Sequence, residues 1–369
     1  MDAVLTTMVE DRVGPGEHTQ FLIHTAKEIL KFDYCLALRS PVFALQLALQ
    51  ALLARNSDVL QAEGQSGSAG FVPPDNENNA VPEENPANLS LRCLREIPWG
   101  RGVIISALSP LYYERVIRSL GLFPLYCDTA EDSPLMAADK INAMMAAKPL
   151  CVIFHHTLGY LPEAETLGNL AIPVIEDCSQ STGSILGEKK SGSFGTLAIL
   201  GMEEKDMITA GGGALLFALS RRDAAILRSI GELPPEYLLP DLNAAMAAVQ
   251  FREEAKNLAR RKELAQAYAQ ASLQTRHKRF RETERLEYNN YAFSLLLESG
   301  VKDVKSYAKR KEIAVEEAFD STLAGSGAIP SAQCPCASSL ALRTVLFPLY
   351  PRLGAQAAER VAKLIMTLP

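Results

Sequence analysis

The stretch VIEDCSQSTGSILGEKKSGSFGTLAILGMEEKDMITAGGGALLF, residues 174–217, decides the fold. It opens on an apolar run that ends in an acid, and two further apolar runs begin at residues 195 and 213. These runs do not alternate polar with apolar residues, which is typical of strands buried on both faces of a parallel sheet. Ligands of such sheets bind beyond the carboxyl ends of the strands. Asp177, Gln180 and Lys205 follow these runs and are therefore the first candidates for a site.

Working outward, further apolar runs of the same kind are interleaved with helix-like segments. They lie at 102–108, 123–128, 149–156 and 171–178, and the last overlaps the start of the deciding stretch. This alternation predicts a largely parallel sheet with helices on both faces. From residue 243 the pattern changes to one long helix and then to a separate C-terminal part. We therefore predict a large α/β domain over residues 1–250 and a smaller α/β domain over residues 251–369.

One internal segment, residues 56–97, has no apolar periodicity and is rich in Gly, Ser, Pro and Asn. Such a segment cannot bury enough apolar surface to offset its ordering entropy, so we predict an insertion that is either disordered or a loop. Immediately before it, Ser40 and Pro41 precede a strongly apolar helical stretch. Serine at the N-cap and proline at the first helical position are typical of a helix start.

The composition is that of a folded globular protein, with 48% hydrophobic residues and a net charge of −6 over 369 residues. No basic face or tail is evident, so we expect no nucleic-acid partner. No leader segment or membrane-length apolar run is evident either, so we expect a cytoplasmic protein without a membrane anchor. The seven cysteines are scattered and suit reduced thiols, and no metal site is expected.

Taken singly, the candidate residues are open to a plain structural interpretation. Asp177 could cap the turn that follows its strand or could hold a cationic partner. Lys205 lies in a Glu-Glu-Lys-Asp run, where a lysine is more often solvated than catalytic. The three glycines at 211–213 lack the following Gly-Lys-Ser/Thr that a Walker phosphate loop needs.

Read together, three blocks of the deciding stretch resemble the signature of the DegT/DnrJ/StrS sugar aminotransferases. The blocks are Ile-Glu-Asp-x-x-Gln at 175–180, Gly-Ser-Phe-Gly at 192–195, and a lysine followed by glycines at 205–213. Residues 242–268 are similar to the interdomain helix of that family. The resemblance implies an α/β protein of PLP-dependent transferase fold type I. That fold has a mostly parallel seven-stranded sheet sandwiched by helices and a smaller C-terminal α/β domain.

The resemblance also implies a cofactor, pyridoxal 5′-phosphate (PLP), and a role for each candidate. Lys205 would form the aldimine with the cofactor and move the substrate proton. Asp177 would face the pyridine nitrogen, and Gln180 the ring hydroxyl. The implied reaction is amino transfer to a keto-sugar linked to a nucleotide, with glutamate as donor. A homodimer is implied because the active sites of the family are built from two subunits.

The positions implied to hold the rest of the cofactor depart from the family pattern. Where the family has a Gly-Thr or Gly-Ser pair for the phosphate, this chain has Pro41 and Val42, which leaves Ser40 and the Val42 N–H as a partial anion site. Pro110 stands where the family has the aromatic residue that stacks on the ring, unless Tyr112 or Tyr113 replaces it.

Two further departures concern the phosphate. Leu200 or Gly201 replaces a serine before the lysine, and Glu236 replaces an asparagine lent by the neighbouring subunit. A carboxylate beside a phosphate dianion is repulsive. The departures cluster on one ligand, so a second hypothesis stands beside the aminotransferase: a catalytically degenerate, non-enzymatic homologue that acts as a binding or scaffold protein.

Overall fold

We describe a computed structural model of the chain. The description covers residues 2–9, 13–64, 100–163, 166–167, 170–282, 284–298 and 300–369.

The described part of the chain alternates helices and strands. The helices are α1 Asp2–Val9, α2 Glu17–Leu30, α3 Pro41–Gly64, α4 Leu111–Ser119, α5 Ala138–Met144, α6 Arg221–Arg228, α7 Asp241–Ser272, α8 Val301–Arg310, α9 Pro335–Arg343 and α10 Ala355–Met366. The strands are β1 Tyr34–Leu38, β2 Gly102–Ser106, β3 Phe123–Cys127, β4 Cys151–His155, β5 Val174–Asp177, β6 Ile185–Leu186, β7 Lys189–Lys190, β8 Leu197–Gly201, β9 Ala214–Ala218, β10 Leu286–Glu287, β11 Phe293–Leu296, β12 Glu316–Glu317 and β13 Thr344–Phe347.

The main sheet has seven strands in the order β1-β9-β8-β5-β4-β2-β3. Strands β3, β2, β4, β5 and β8 pair in parallel, and β9 is antiparallel to both of its neighbours, β8 and β1. The predicted α/β fold with a mostly parallel seven-stranded sheet is confirmed. Each of the six apolar runs predicted from sequence contains one strand of this sheet, and β1 is the strand that the sequence analysis did not identify.

The sheet is covered on both faces, as the apolar runs predict. Alternate residues of β9 enter different cores: Leu215 and Phe217 pack with α2 and the first part of α7, whereas Leu216 packs with α3 and α4. Successive side chains of a strand point to opposite faces, which explains this division. The sheet is therefore the middle layer of a three-layer sandwich.

The smaller sheet, β11-β13-β12, forms a separate core with the second half of α7 and with α8 and α10. Helix α7 joins the two parts: Phe251 belongs to the large core and Leu264 to the small one. We propose that the boundary between the two domains lies within this helix, near the predicted residue 250. Residues 319–341 are an exception, because Phe319 and Leu340 pack into the large core.

The prediction of a loop is wrong for residues 56–64, because α3 continues as a helix to Gly64, while the insertion itself stays a prediction. Its remainder, from residue 65 on, lies outside the described residues. The helix begins as predicted: Pro41 is its first residue, and the Ser40 hydroxyl accepts the Phe43 N–H at 3.3 Å.

The start of α7 is tied to the start of α2 through one buried carboxylate. Asp241 is 4% exposed and accepts the backbone N–H groups of Gly16, His18 and Thr19 and the Thr19 hydroxyl at 2.8–3.1 Å. Hydrogen bonds to a charged acceptor are the strong ones, so this cluster fixes the start of α2 against the start of α7. Within the described ranges, no helix combines the length and the apolar character needed to cross a membrane.

Candidate functional site

Lys205 lies in the turn between β8 and β9, on the side that faces the smaller sheet. Its side chain is 79% exposed, and its Nζ is 3.1 Å from Oε2 of Glu316 in β12. The backbone of the turn is held as well, since the Tyr291 hydroxyl donates to the Lys205 carbonyl at 2.8 Å. The ammonium group is therefore held in a solvent-exposed ion pair that links the two domains.

Asp177 ends β5 and is buried, with 2% of its surface exposed. Its Oδ1 accepts the Ser179 N–H at 3.0 Å and the Ser179 hydroxyl, while its Oδ2 accepts the Tyr113 hydroxyl and, at 3.5 Å, the Tyr112 hydroxyl. A carboxylate offers about four lone-pair positions. Four donors from the chain itself already surround this one.

Tyr112 and Tyr113 lie in the first turn of α4, and both donate their hydroxyls to Asp177. Burial, followed by the negative charge of Asp177, raises the pKa of both phenols well above their ordinary value, so both are neutral donors. The two rings meet edge to face at 4.9 Å, and the Tyr113 ring lies 6.2 Å from that of His155. Burial lowers the pKa of His155, with Asp177 acting in the opposite direction.

Asp206, directly after Lys205, is a second acid in the same cluster. Its Oδ2 accepts the Glu203 N–H at 2.8 Å. Burial, opposed by that hydrogen bond and reinforced by the negative charge of Asp177, raises its pKa to about 7. The site thus holds two neighbouring carboxyl groups with tyrosine and serine hydroxyls, and one of the two carboxyls readily keeps a proton.

Gly201 shows how little space remains beside these acids. A Cβ at this position would lie 2.5 Å from an Asp206 carboxylate oxygen, 2.9 Å from the Ser179 Oγ and 3.2 Å from Pro41. The Gly201 N–H donates to the Ser179 hydroxyl at 2.8 Å. The family serine that Leu200 or Gly201 replaces would not fit at Gly201, because three side chains occupy the space.

Glu176 explains why the Ile-Glu-Asp-x-x-Gln and Gly-Ser-Phe-Gly blocks occur together. This buried carboxylate accepts the backbone N–H of Gly192 at 2.9 Å and those of Phe194 and Gly195. Burial raises its pKa to about 7, although these three hydrogen bonds oppose the rise. The two blocks are therefore one structural unit that places β5 beside β8.

The predicted phosphate positions lie at the start of α3. The Ser40 hydroxyl accepts the Phe43 N–H, and Val42 is 38% exposed. The Tyr237 ring lies 4.7 Å from that of Phe43, and Glu236 is exposed in the same short turn. The sequence-predicted carboxylate is thus near the helix start within this chain, and its place beside a phosphate stays a prediction.

The other two predicted positions are also engaged within the chain. The Gln180 Oε1 accepts the Leu158 N–H at 2.6 Å, and Pro110 directly precedes α4 and forms a backbone bridge with Thr322. The structure brings Asp177 together with Tyr112, Tyr113 and Asp206. It does not bring Lys205 into contact with Asp177, and the roles assigned to Gln180 and Pro110 stay predictions.

A cavity of about 1280 Å³ opens between the two domains beside Lys205. It is lined by the Lys205 turn, by the middle of α7, and by the segments around β12, β13 and α10. Among the described residues that line it, Asp206 and Tyr291 come from the cluster around Lys205, whereas Asp177, Ser179 and Tyr113 are absent. Lys205 therefore lines the cavity, whereas Asp177 is not among its described lining residues.

The fold and this residue order define a protein of PLP-dependent transferase fold type I. The family model for the DegT/DnrJ/EryC1/StrS aminotransferase family matches residues 87–366, and the chain belongs to that family. The resemblance stated from sequence is confirmed.

Curated relatives match part of the chain. L-glutamine:2-deoxy-scyllo-inosose aminotransferase from Streptomyces fradiae is 24% identical over 138 residues, and the same enzyme from Streptomyces lividus is 25% identical over 138 residues. Each match covers 36% of this chain and 32% of the relative, so the chain spans about a third of the length of these relatives.

Solved structures match the whole fold. A DegT DnrJ EryC1 StrS aminotransferase from Brucella abortus has a TM-score of 0.77 at 17% identity, covering 99% of this chain and 93% of its own. DesV from S. venezuelae, in complex with a ketimine intermediate, has a TM-score of 0.78 at 16% identity, covering 99% and 92%. At these identities the likeness shows the fold.

The family implies PLP, and the residues present do not fit it. The acid that would face the pyridine nitrogen, Asp177, is buried and is already bonded to Tyr113 and Ser179. The lysine that would hold the aldehyde is 79% exposed and paired with Glu316.

The sequence analysis missed the roles of Ser179 and Asp206. Asp206 is part of a charged run that predicts a solvated turn. The sequence of such a run does not show that one of its acids is buried and has a raised pKa. The adjacent pair Tyr112-Tyr113 was considered only as a replacement for the stacking ring. The available signal was the position of this pair in the first turn of the helix that follows β2, which only β4 separates from the strand of Asp177.

Proposed function

We propose that this member of the sugar aminotransferase family binds a nucleotide-linked sugar in the cavity between its domains and does not itself transfer an amino group. The observation that carries the proposal is the cavity of about 1280 Å³, which Lys205 lines and from which Asp177 is absent among the described lining residues. A cavity of this size is large enough for a ligand of that class.

The lining suits a ligand with both sugar and phosphate groups. Lys256 and Arg260 of α7 and Arg352 and Arg360 near the C-terminus supply cations for a diphosphate. Glutamates of the same lining can accept hydrogen bonds from sugar hydroxyls. Tyr350 is 50% exposed at the rim and offers an apolar ring face.

The charges of this lining are arranged in pairs that a ligand can rearrange. Arg360 Nη2 lies 3.5 Å from Glu312 Oε2, and Lys256 Nζ lies 3.3 Å from Glu253 Oε2, all at exposed positions. Exposed ion pairs of this kind contribute about 0–1 kcal/mol each. A phosphate can therefore replace the carboxylate partner at little cost.

A second candidate function is amino transfer with PLP bound covalently to Lys205, on a keto-sugar linked to a nucleotide. The comparisons with aminotransferases favour it, and so does the presence of Lys205, Asp177 and Gln180 in the family order. In that function two copies of the chain would build each site, so it carries the expectation of a homodimer.

One set of measurements on the purified full chain separates the two candidates. UDP-glucose and dTDP-glucose are titrated by calorimetry, and PLP is added separately, followed by borohydride reduction and mass-spectrometric mapping of modified lysines. We expect saturable binding of at least one nucleotide sugar, weakened about tenfold by Arg360→Ala, and no modification of Lys205. Arg222→Ala, at an exposed position on α6 outside the cavity lining, is the matched control.

Two outcomes of these measurements would contradict the proposed binding function. If neither nucleotide sugar binds at millimolar concentration, the binding function is wrong. If Lys205 is modified and glutamate converts the bound cofactor, amino transfer is the function. Light scattering tests the homodimer, and a monomer at micromolar concentration contradicts it.

A further inference from the structure

A bound PLP ring would have to bring its nitrogen to the carboxylate of Asp177. Its two oxygens accept the Ser179 N–H at 3.0 Å, the Ser179 hydroxyl, the Tyr113 hydroxyl and, at 3.5 Å, the Tyr112 hydroxyl. The residue is 2% exposed. A ring nitrogen could reach the carboxylate only by displacing one of these donors.

The donor that stands in the way is packed rather than mobile. Tyr113 is 1% exposed, its ring lies 4.9 Å from Tyr112 and 6.2 Å from His155, and its N–H is bonded to the Pro110 carbonyl at 3.1 Å. Burial of a ring of this size stabilises the fold. A ligand would have to offset this burial as well as the hydrogen bond.

The hydrogen bond from Tyr113 to Asp177 is chemically equivalent to the one that the ring nitrogen of PLP would make. A protonated pyridine donates one N–H to a carboxylate, and the Tyr113 phenol donates one O–H from a flat aromatic ring to Oδ2 of Asp177. The aspartate therefore keeps a donor of similar shape without any cofactor. On the opposite side, Pro41, Ser179 and Asp206 close the space around Gly201.

We propose that Tyr113, supported by Tyr112, is a built-in occupant of the pyridine site, so that the chain excludes PLP and that removing the two rings reopens the site to it. This inference rests on the proposed function and deepens it, because it names the side chains that keep the retained aspartate from a cofactor.

The test uses four full-length proteins: wild type, Tyr113→Phe, Tyr113→Thr and the double variant Tyr112→Ala/Tyr113→Ala. Each is titrated with PLP and followed by cofactor absorbance and fluorescence, then by borohydride reduction and mapping of the modified lysine. Tyr268→Ala is the matched control, because it removes a fully buried ring of the small domain, whose hydroxyl bonds the Pro348 carbonyl. Near-ultraviolet circular dichroism reports whether each variant is folded.

We expect the wild type and Tyr113→Phe to show no saturable binding, since phenylalanine keeps the ring in place. The double variant should bind PLP at least tenfold more tightly than the wild type, with Tyr113→Thr between them and Tyr268→Ala like the wild type. Modification of scattered exposed lysines without Lys205 in the wild type agrees with the inference.

Two results would overturn it, and they are distinguishable. If the wild type forms a lysine-linked cofactor at Lys205, both this inference and the proposed function are wrong. If the wild type excludes PLP and neither Tyr113→Thr nor the double variant gains binding, the occupant role of Tyr113 is wrong while the proposed function stands. Should the double variant fail to fold, Tyr113→Thr alone decides between these outcomes.

Discussion

Replacing Asp206 by asparagine should stabilise the protein at alkaline pH and do so much less at acidic pH. Burial and the charge of Asp177 raise the pKa of this carboxyl from 3.8 to about 7. The folded chain therefore holds the Asp206 proton more tightly than the unfolded chain does. The contribution of this proton to the free energy of unfolding is fully present below about pH 4 and is lost as the pH rises to about 7.

The magnitude follows from the size of the pKa change. A rise of about 3 units corresponds to about 4 kcal/mol, since one unit is worth about 1.4 kcal/mol. Asp206 keeps partial exposure to solvent, and screening reduces the effect to roughly 2 kcal/mol. Asparagine is neutral at every pH and can still accept the Glu203 N–H through its carbonyl oxygen.

Urea unfolding followed by circular dichroism at pH 4.5 and pH 8 checks this prediction. Relative to wild type, Asp206→Asn should gain roughly 2 kcal/mol more in its free energy of unfolding at pH 8 than at pH 4.5. Glu204→Gln, an exposed acid in the same turn, should show no such difference. Equal effects of Asp206→Asn at both pH values would refute the reasoning.

Three further substitutions test the framework of the site by chemical denaturation. Lys205→Ala should change the free energy of unfolding by less than about 1 kcal/mol, because its ion pair with Glu316 is exposed; a larger loss would mean a buried role. Asp128→Asn should cost about 1–3 kcal/mol, because this carboxylate accepts two backbone N–H groups at the start of α9 and pairs with Lys140 at 3.0 Å; Asp139→Asn is the control. Arg261→Lys should cost about 2 kcal/mol, since the three backbone carbonyls all accept from Nη1 of Arg261 and the shorter lysine side chain places its nitrogen one atom short of that position; an unchanged midpoint would contradict this.

The sequence predicted most of the main sheet because its strands are apolar without alternation, a pattern that burial on both faces requires. Strand β1 was not predicted, because its five residues lie between two helices and end directly before Arg39. The helical continuation to Gly64 was not predicted because residues 56–64 are mostly polar, and helix periodicity is identified from apolar positions.

The sequence predicted which residues belong to the candidate site better than it predicted how those residues are arranged. Asp177 could be placed at a strand end from the position of its apolar run. The exposure of Lys205 agrees with what a Glu-Glu-Lys-Asp run implies by itself. The bond from Tyr113 to Asp177 could not be predicted, because it depends on the angle at which α4 leaves β2, and no residue pattern encodes that angle.

The carboxylate of Asp241 has a consequence for where the chain can be cut. A protein expressed from residue 20 onward would lack the three N–H donors and the hydroxyl that this buried acid accepts. An uncompensated buried charge is strongly destabilising, so the loss would spread from the removed segment to the start of α7. Residues 16–19 therefore stabilise the start of a helix that begins more than two hundred positions later in the sequence. An affinity tag should be placed before Gly16 and should not replace it.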